Sequence, residues 1–214
     1  MLTGDGLSAV SSLLCLGAHS DDIEIGCGGT VLKLVAANPE LTVHWVVLSA
    51  DGDRADEARA SAERLLTGTR SHEVGVMSFR ERYFPHLPEL KEFFDALGAR
   101  LQPDLVLTHH LSDAHQDHRV VADLTWNTFR DQLILEYEIP KYEGDLGQPN
   151  VFVTLDEDLA RRKVQSIIEG FPSQTTHFWF TEETFLGLLR LRGVEARSAS
   201  GYAEGFHARK LVLG

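Results

Sequence analysis

Two short clusters of histidine and aspartate residues carry side chains that can bind a metal and transfer protons. The first covers residues 18–22, with the sequence Ala-His-Ser-Asp-Asp, and the second covers residues 115–118, with the sequence His-Gln-Asp-His. Imidazoles and carboxylates are ligands for zinc and related metals, and both groups also serve as general acids or bases. This combination predicts a metal-dependent hydrolase.

In the first cluster, His19 and Asp22 are three residues apart on a turn entering a predicted helix, so both can face one point. Asp21 then projects in another direction and is free to hold a proton. The alternative is that the two aspartates only cap the helix and fill its first turn, a common position for this residue type. For the aspartate pair alone this alternative is favoured, but His19 and the second cluster reverse the preference.

In the second cluster, His115 and His118 are also three residues apart, so one imidazole can bind a metal while the other faces a substrate. Asp117 is placed to orient an imidazole through its ring N–H, as carboxylates around metal sites do. Arg119 is placed to steady a carboxylate. The alternative is a polar loop with a helix-starting aspartate, and the histidine pair at residues 109–110 leaves the choice of ligand open.

Both clusters follow apolar, strand-like runs, and strand-like segments alternate with helix-like segments along the chain. The predicted strands are Ser12–Ala18, Thr42–Ser49, Glu73–Phe79, Asp104–Thr108, Leu133–Tyr137 and Val151–Leu155. The predicted helices are Gly28–Ala37, Asp56–Leu66, Leu87–Leu101, His118–Gln132, Asp156–Glu169 and Thr181–Arg192. We expect a Rossmann-like three-layer α/β fold, a mostly parallel sheet flanked by helices, with both clusters at its carboxyl edge.

The composition fits one soluble domain spanning residues 1–214, with 43% hydrophobic and 24% charged residues. A formal net charge of −12 argues against nucleic acid or an anionic membrane as a partner. Two cysteines give no disulfide framework, which predicts a cytoplasmic protein. No segment approaches the roughly 18 apolar residues of a membrane helix. Whether the chain forms a homo-oligomer is left open.

Several motifs resemble the signature of the PIG-L (LmbE-like) zinc deacetylase family, and together they extend over nearly the whole chain. Ser20 is a departure, because the family usually has proline there; the change affects the stiffness of the turn and leaves the ligands untouched. The matching segments are residues 18–30 (Ala-His-Ser-Asp-Asp-Ile-Glu-Ile-Gly-Cys-Gly-Gly-Thr), 103–106 (Pro-Asp-Leu-Val), 115–119 (His-Gln-Asp-His-Arg), 171–174 (Phe-Pro-Ser-Gln) and 201–206 (Gly-Tyr-Ala-Glu-Gly-Phe).

The resemblance implies a role for each matching residue. His19, Asp22 and His118 would bind Zn²⁺, and Asp21 would be the general base that acts on metal-bound water. His115 would protonate the leaving amine or help to stabilise the tetrahedral oxyanion. The resemblance also implies an LmbE-like fold and a small-molecule substrate, an N-acetylamino sugar or a glycoconjugate that contains one, from which the enzyme removes the N-acetyl group.

Substrate choice is expected to depend on loops, and two loose segments that could wall a pocket are Lys141–Asn150 and Arg197–Gly205. Residues 51–54 (Asp-Gly-Asp-Arg), which follow the second strand, could contact sugar hydroxyls or a charged substituent of the substrate. An acidic surface turn is an equally good interpretation of these residues. Trp179 and Phe180 could stack on a sugar face, although a Phe-Trp-Phe run is more often part of a core. The candidates for substrate contacts are Asp51, Asp53, Arg54 and Glu204.

Two other functions stay open at this point. A metal-dependent phosphoesterase could use the same ligands, but it would need further carboxylates for a second metal and a basic residue near the site. Arg54 and Arg119 are the candidates for that residue. A non-catalytic sugar-binding protein on the same fold would have no need of a base such as Asp21 beside the metal.

Overall fold

The computed structural model describes residue 7 and residues 9–212. Within them, seven strands and six α-helices alternate over most of the chain, and none of these helices has the length and apolar composition needed to cross a membrane. The strands are β1 (Ser12–His19), β2 (Thr42–Ser49), β3 (Ser71–Val76), β4 (Leu105–His109), β5 (Leu133–Tyr137), β6 (Val151–Leu155) and β7 (Tyr202–His207). The helices are α1 (Asp22–Ala37), α2 (Asp53–Leu65), α3 (Pro88–Arg100), α4 (Gln116–Thr128), α5 (Glu157–Gly170) and α6 (Glu182–Glu195).

The seven described strands form one sheet in the order β3-β2-β1-β4-β5-β7-β6. Strands β1 to β5 pair in parallel, and β1 lies between β2 and β4. Strand β7 runs antiparallel to its neighbours β5 and β6. Because β1 and β4 are adjacent and parallel, the loops that follow them meet at the carboxyl edge of the sheet. The predicted α/β fold with a mostly parallel sheet is confirmed.

Helices cover both faces of the sheet and give the predicted three layers. On one face, α1, α2, α5 and α6 pack with Leu13, Trp45 and Tyr137. On the other face, α3 and α4 pack with Leu14 and Val106. The neighbours Leu13 and Leu14 belong to opposite clusters because successive side chains of a strand point to opposite faces. The continuous apolar runs of the sequence follow from this burial on both sides.

Helix α1 begins at Asp22, six residues before the predicted start at Gly28. The glycines at positions 26, 28 and 29 therefore lie inside the helix. They allow α1 to pack closely on the sheet: a Cβ at Gly26 would lie 2.1 Å from the Tyr137 ring. A Cβ at Gly29 would lie 2.5 Å from Leu155. The other predicted elements are all present, with ends that differ by four residues or fewer.

Strand β7 corrects one prediction. Arg197–Gly205 was expected to be a surface loop, but Tyr202–His207 forms a strand inserted between β5 and β6. Ala203 to Phe206 are buried in it. The strand contains Glu204 and Gly205, residue types that are depleted in strands, so tertiary pairing outweighs local preference here.

Candidate functional site

The site lies where β1 and β4 end, and both histidine and aspartate clusters are part of it. His19 is the last residue of β1, and Asp22 is the first residue of α1, one short turn later. His118 lies in the first turn of α4, after the loop that leaves β4. All three side chains are buried, with relative exposures of 8%, 4% and 3%. The fold therefore brings together residues that are about a hundred positions apart in the sequence.

Three atoms of these side chains form a compact triangle. The distance from His19 Nδ1 to His118 Nε2 is 3.2 Å, and Asp22 Oδ2 lies 3.3 Å from His19 Nδ1 and 3.5 Å from His118 Nε2. Tetrahedral zinc with ligands at about 2.0–2.2 Å places its ligand atoms about 3.3–3.6 Å apart. The observed triangle fits three corners of such a tetrahedron.

His19 is oriented from behind by a carboxylate. Its Nε2, the ring nitrogen outside the triangle, lies 3.4 Å from Asp117 Oδ2. Asp117 is fixed in turn by the backbone N–H groups of Arg82 and Phe84, which donate to its two oxygens at 2.6 and 3.3 Å. The sequence analysis expects Asp117 to orient an imidazole, and carboxylates in this position commonly fix the tautomer of a metal-binding imidazole.

His118 has an equivalent partner that the sequence analysis missed. Asp113 Oδ2 lies 3.0 Å from His118 Nδ1, and the buried ammonium of Lys141 donates to the same oxygen at 3.0 Å. Lys141 also donates to Asp145, which accepts the backbone N–H of Ala114. The signal available in the sequence was an aspartate in the short loop between β4 and α4, five residues before a candidate ligand.

The surrounding charges favour a cation inside the triangle. Burial by itself would lower the pKa of His19, but the carboxylates of Asp22 and Asp117 outweigh it and raise that pKa to about 10. Burial also opposes ionisation of Asp113, yet the hydrogen bond from His118 and the nearby cations hold its pKa well below the usual range. The site therefore keeps its carboxylates ionised and stabilises positive charge at their centre.

Asp21 is close to the triangle but takes no part in it. It is the N-cap residue of α1, yet its side chain makes no capping hydrogen bond, so capping does not account for this aspartate. Burial, followed by the neighbouring Asp22 carboxylate, raises the pKa of Asp21 to about 6, against the opposing effects of Arg54 and His19. A carboxylate with such a pKa can both accept and return a proton near neutral pH.

His115 lies beside the triangle with its ring in contact with both histidines. Its ring centroid is 4.9 Å from that of His19 and 4.6 Å from that of His118. The backbone N–H of Asp117 donates to His115 Nδ1 at 3.3 Å, so in the neutral ring the proton lies on Nε2. Burial, followed by the charge of His19, lowers the pKa of His115.

Two further sets of side chains could also hold a metal among the described residues, each with ligand atoms within 4.8 Å of one another. One replaces Asp22 by His115, and the other replaces His19 by His109. In the second set, His109 Nε2 already accepts the backbone N–H of Ala18 at 3.0 Å. A nitrogen whose lone pair is engaged in this way is a poor metal ligand.

The predicted substrate contacts lie in different surroundings. Asp51 and Asp53 are exposed at the turn between β2 and α2. Arg54 is tied to the site, since its Nε donates to Ser20 Oγ at 3.2 Å, next to Asp21, and its Nη1 donates to Glu81 at 3.4 Å. Arg54 is therefore the predicted contact that is hydrogen-bonded to a neighbour of Asp21.

Glu204 cannot serve as a substrate contact, which corrects the prediction. It is 2% exposed, and it accepts hydrogen bonds from the backbone of Gly29 and Thr30 and from the ammonium of Lys163. It joins β7 to α1 and α5. Arg119 was expected to steady a carboxylate, but its guanidinium donates to the backbone carbonyls of residues 113 and 114, at 2.8 and 2.5 Å. It thereby holds the loop that carries Asp113.

The fold and the site together define an α/β protein with a candidate metal centre at the carboxyl edge of its sheet. Residues 14–129, more than half of the chain, match the profile of the PIG-L family, which is described as GlcNAc-PI de-N-acetylase. The chain therefore belongs to the PIG-L family.

Individual relatives are more distant. The uncharacterized deacetylase YaiS of Escherichia coli (strain K12) is 29% identical over 171 residues, which cover 72% of this chain and 88% of that protein. GalB, the 4-carboxy-2-hydroxymuconate hydratase of Pseudomonas putida KT2440, is similar in structure with a TM-score of 0.76 at 20% identity, covering 95% of this chain and 98% of that one. The N,N'-diacetylchitobiose deacetylase of Pyrococcus horikoshii has a TM-score of 0.72 at 22% identity, covering 95% and 85%.

Proposed function

We propose that this chain is a zinc-dependent N-deacetylase in which His19, Asp22 and His118 hold the metal. The observation that carries the proposal is their triangle of ligand atoms, with sides of 3.2 to 3.5 Å, buried and surrounded by ionised carboxylates. One carboxylate and two imidazoles are the donor groups found in catalytic zinc sites, and zinc would displace the proton that His19 otherwise holds. Asp117 and Asp113 orient the two imidazoles. The catalytic unit comprises residues 1–214 as one domain.

A bound zinc ion supplies a Lewis acid for the amide carbonyl and for the attacking water. Asp21 accepts a proton from that water as its oxygen bonds to the carbonyl carbon. His115 donates from Nε2–H to the oxygen on which negative charge develops, which suits a ring that is neutral at rest. Asp21 then returns the proton to the amine nitrogen as the C–N bond breaks, which releases the free amine and acetic acid, and the acid then ionises to acetate.

The substrate we propose is an N-acetylamino sugar or a glycoconjugate that contains one. The family description names a GlcNAc-containing substrate, and the Pyrococcus horikoshii enzyme is named for an N-acetylated disaccharide. Arg54, which donates to Ser20 beside Asp21, is the proposed contact for sugar hydroxyls or a charged substituent, together with the exposed Asp51 and Asp53. The two buried free cysteines, Cys15 and Cys27, are consistent with a cytoplasmic enzyme.

The hydratase among the structural neighbours shows that this fold also serves a different reaction of water. Addition of water to a carbon–carbon double bond produces no acetate. A screen of N-acetylglucosamine, UDP-N-acetylglucosamine and pseudo-disaccharides should therefore measure acetate and amine release, with zinc-replete and chelated protein side by side. Conjugated unsaturated carboxylates and a phosphomonoester should be included as competing substrates.

We expect acetate and amine in equal amounts with zinc-replete protein only. The variant His19→Ala should lose zinc content per chain, whereas the exposed-site control Asp123→Asn should keep it. Turnover of an unsaturated carboxylate or of the phosphomonoester, without acetate release from any N-acetyl compound, would overturn the proposal.

A further inference from the structure

The loop between β4 and α4 ends at His115, and hydrogen bonds to its backbone hold it in place. The N–H of Leu111 donates to the carboxylate of Glu136 on β5 at 3.0 Å. The N–H of His115 donates to Asp113 Oδ1 at 2.7 Å, while the other oxygen of that carboxylate contacts a proposed metal ligand. The position of the His115 ring therefore depends on how this loop is held.

A second segment of the chain, Lys141–Asn150, reaches this loop through one carboxylate. Asp145 Oδ2 accepts the backbone N–H of Ala114 at 2.6 Å, and Ala114 directly precedes His115. Burial opposes ionisation of Asp145, but the hydrogen bond from Ala114 and the ammonium of Lys141 hold its pKa below the usual range. A hydrogen bond to an ionised acceptor is among the stronger kinds in proteins. Asp145 therefore holds the backbone next to His115 firmly.

The second segment is itself held in one shape. The Lys141 ammonium donates to both oxygens of Asp145, at 2.8 and 2.7 Å. Between them, Gly144 has a φ of +63°, which lets the chain turn back without the steric penalty of a side chain. The buried guanidinium of Arg192 on α6 donates to the carbonyl of Gly147 at 3.1 Å. The carboxylate of Asp145 thus comes from a turn that is fixed at both ends.

We propose that Asp145 is a positioning residue for His115. By binding the N–H of Ala114, it holds the His115 ring where Nε2–H can donate to the oxygen that becomes negative during amide cleavage. The inference rests on the proposed deacetylase function, in which His115 makes that contact. A displacement of about 1 Å at a reacting group can lower the rate about 100-fold, so the backbone beside this ring has to be fixed.

Two other roles for Asp145 lead to different expectations. A carboxylate that only balanced the charge of Lys141 would act on stability and independently of His115. A carboxylate that bound the substrate directly would change KM and leave kcat unaltered when it was removed. The contacts favour the positioning role, because Lys141 already has Asp113 as a partner at 3.0 Å and Asp145 makes its 2.6 Å contact to Ala114.

The test is a double-mutant cycle on zinc-loaded protein, with a substrate found in the acetate-release screen. Asp145→Ala should lower kcat about 10- to 100-fold and leave KM and the zinc content per chain unchanged. In a His115→Ala background the same substitution should lower kcat less than about twofold, because the ring that it positions is already absent.

Two further variants separate positioning from loss of the fold. Asp145→Asn keeps an oxygen that can accept the N–H of Ala114, so it should retain more activity than Asp145→Ala. Glu143→Gln removes an exposed carboxylate from the same segment and should match wild type. An equal loss of kcat in the wild-type and His115→Ala backgrounds would overturn the inference. Undiminished kcat in Asp145→Ala, or a raised KM alone, would overturn it as well.

Hydrogen exchange at the Ala114 amide distinguishes this inference from the proposed function, because it requires no turnover. Asp145→Ala should speed exchange at this amide at least about tenfold, and Glu143→Gln should leave it unchanged. Wild-type protein that releases no acetate, together with faster exchange in Asp145→Ala, refutes the deacetylase and leaves Asp145 as the residue that holds the loop. Unchanged exchange at Ala114 in Asp145→Ala overturns the inference whatever the activity.

Discussion

Asp113 provides the sharpest test of how the site is built, because the sequence motifs did not point to it. The substitution Asp113→Asn keeps the size of the side chain and removes its charge. In the native protein this carboxylate lies 3.0 Å from His118 Nδ1 and 3.0 Å from the Lys141 ammonium, and it is 4% exposed. The variant keeps a hydrogen-bonding oxygen, but it no longer balances the charge of Lys141 beside a cationic centre.

The expected loss follows from these contacts. Removing a carboxylate that supports a metal-binding histidine typically weakens metal affinity 10- to 100-fold, or about 1.4–2.7 kcal/mol. The full charge and the buried position of Asp113 place the expectation in the upper half of that range. Lys141 retains Asp145 as a partner, so we expect the protein to stay folded.

The assay is a competition for zinc between the protein and a chromogenic chelator of known affinity. Asp123→Asn is the matched control, because Asp123 is an exposed aspartate on the same helix as His118. The control should bind zinc as the wild type does. Unchanged zinc affinity in a folded Asp113→Asn variant would refute the assignment of His118 and Asp113 to the metal centre.

Two further predictions concern buried ionisable side chains outside the triangle. Burial raises the pKa of Glu24 to about 8, so unfolding releases its proton between about pH 4.5 and 8 and wild-type stability falls as pH rises through that window. The stability of Glu24→Gln relative to wild type should therefore rise by up to about 1.4 kcal/mol per pH unit between about pH 4.5 and 8. Urea unfolding at several pH values measures this difference, and a difference that does not change with pH would contradict the prediction. Lys163→Met removes the cation paired with buried Glu204 and should lower the free energy of unfolding by about 3–5 kcal/mol. Adding Glu204→Gln should restore part of that loss. Thermal unfolding measures both variants, and a Lys163→Met protein as stable as wild type would disprove the role of the pair.

The sequence predicts most of the fold because a parallel sheet covered on both faces has an unmistakable pattern. Continuous apolar runs such as residues 13–16 can only be strands buried on both sides or the core of a helix, and their length decides between the two. The start of α1 was misplaced because glycine has a low helix propensity. Gly26 and Gly29 are nevertheless inside that helix, where the Tyr137 ring and Leu155 leave no room for a Cβ.

Some residues of the site can be predicted from the sequence and others cannot. Residues within one motif, such as His19 and Asp22, share a turn, so their spacing predicts their convergence. Asp113 and Lys141 meet only after β4 and β5 have paired, and the sequence places them 28 residues apart without a common motif. Glu204 failed as a substrate contact for the related reason that β7 carries it into the interior, onto the backbone of α1.

The central claim is that zinc in the His19–Asp22–His118 triangle, with Asp21 beside it, cleaves an N-acetyl group. The most direct measurement is acetate release by chelated protein as zinc is added back, for wild type and for Asp21→Asn, at a substrate identified in the screen. We expect activity to return with one zinc per chain in the wild type. Asp21→Asn should bind the same amount of zinc and turn over about 10²–10⁴-fold more slowly. Acetate release by fully chelated protein, or undiminished turnover by Asp21→Asn, would contradict the account.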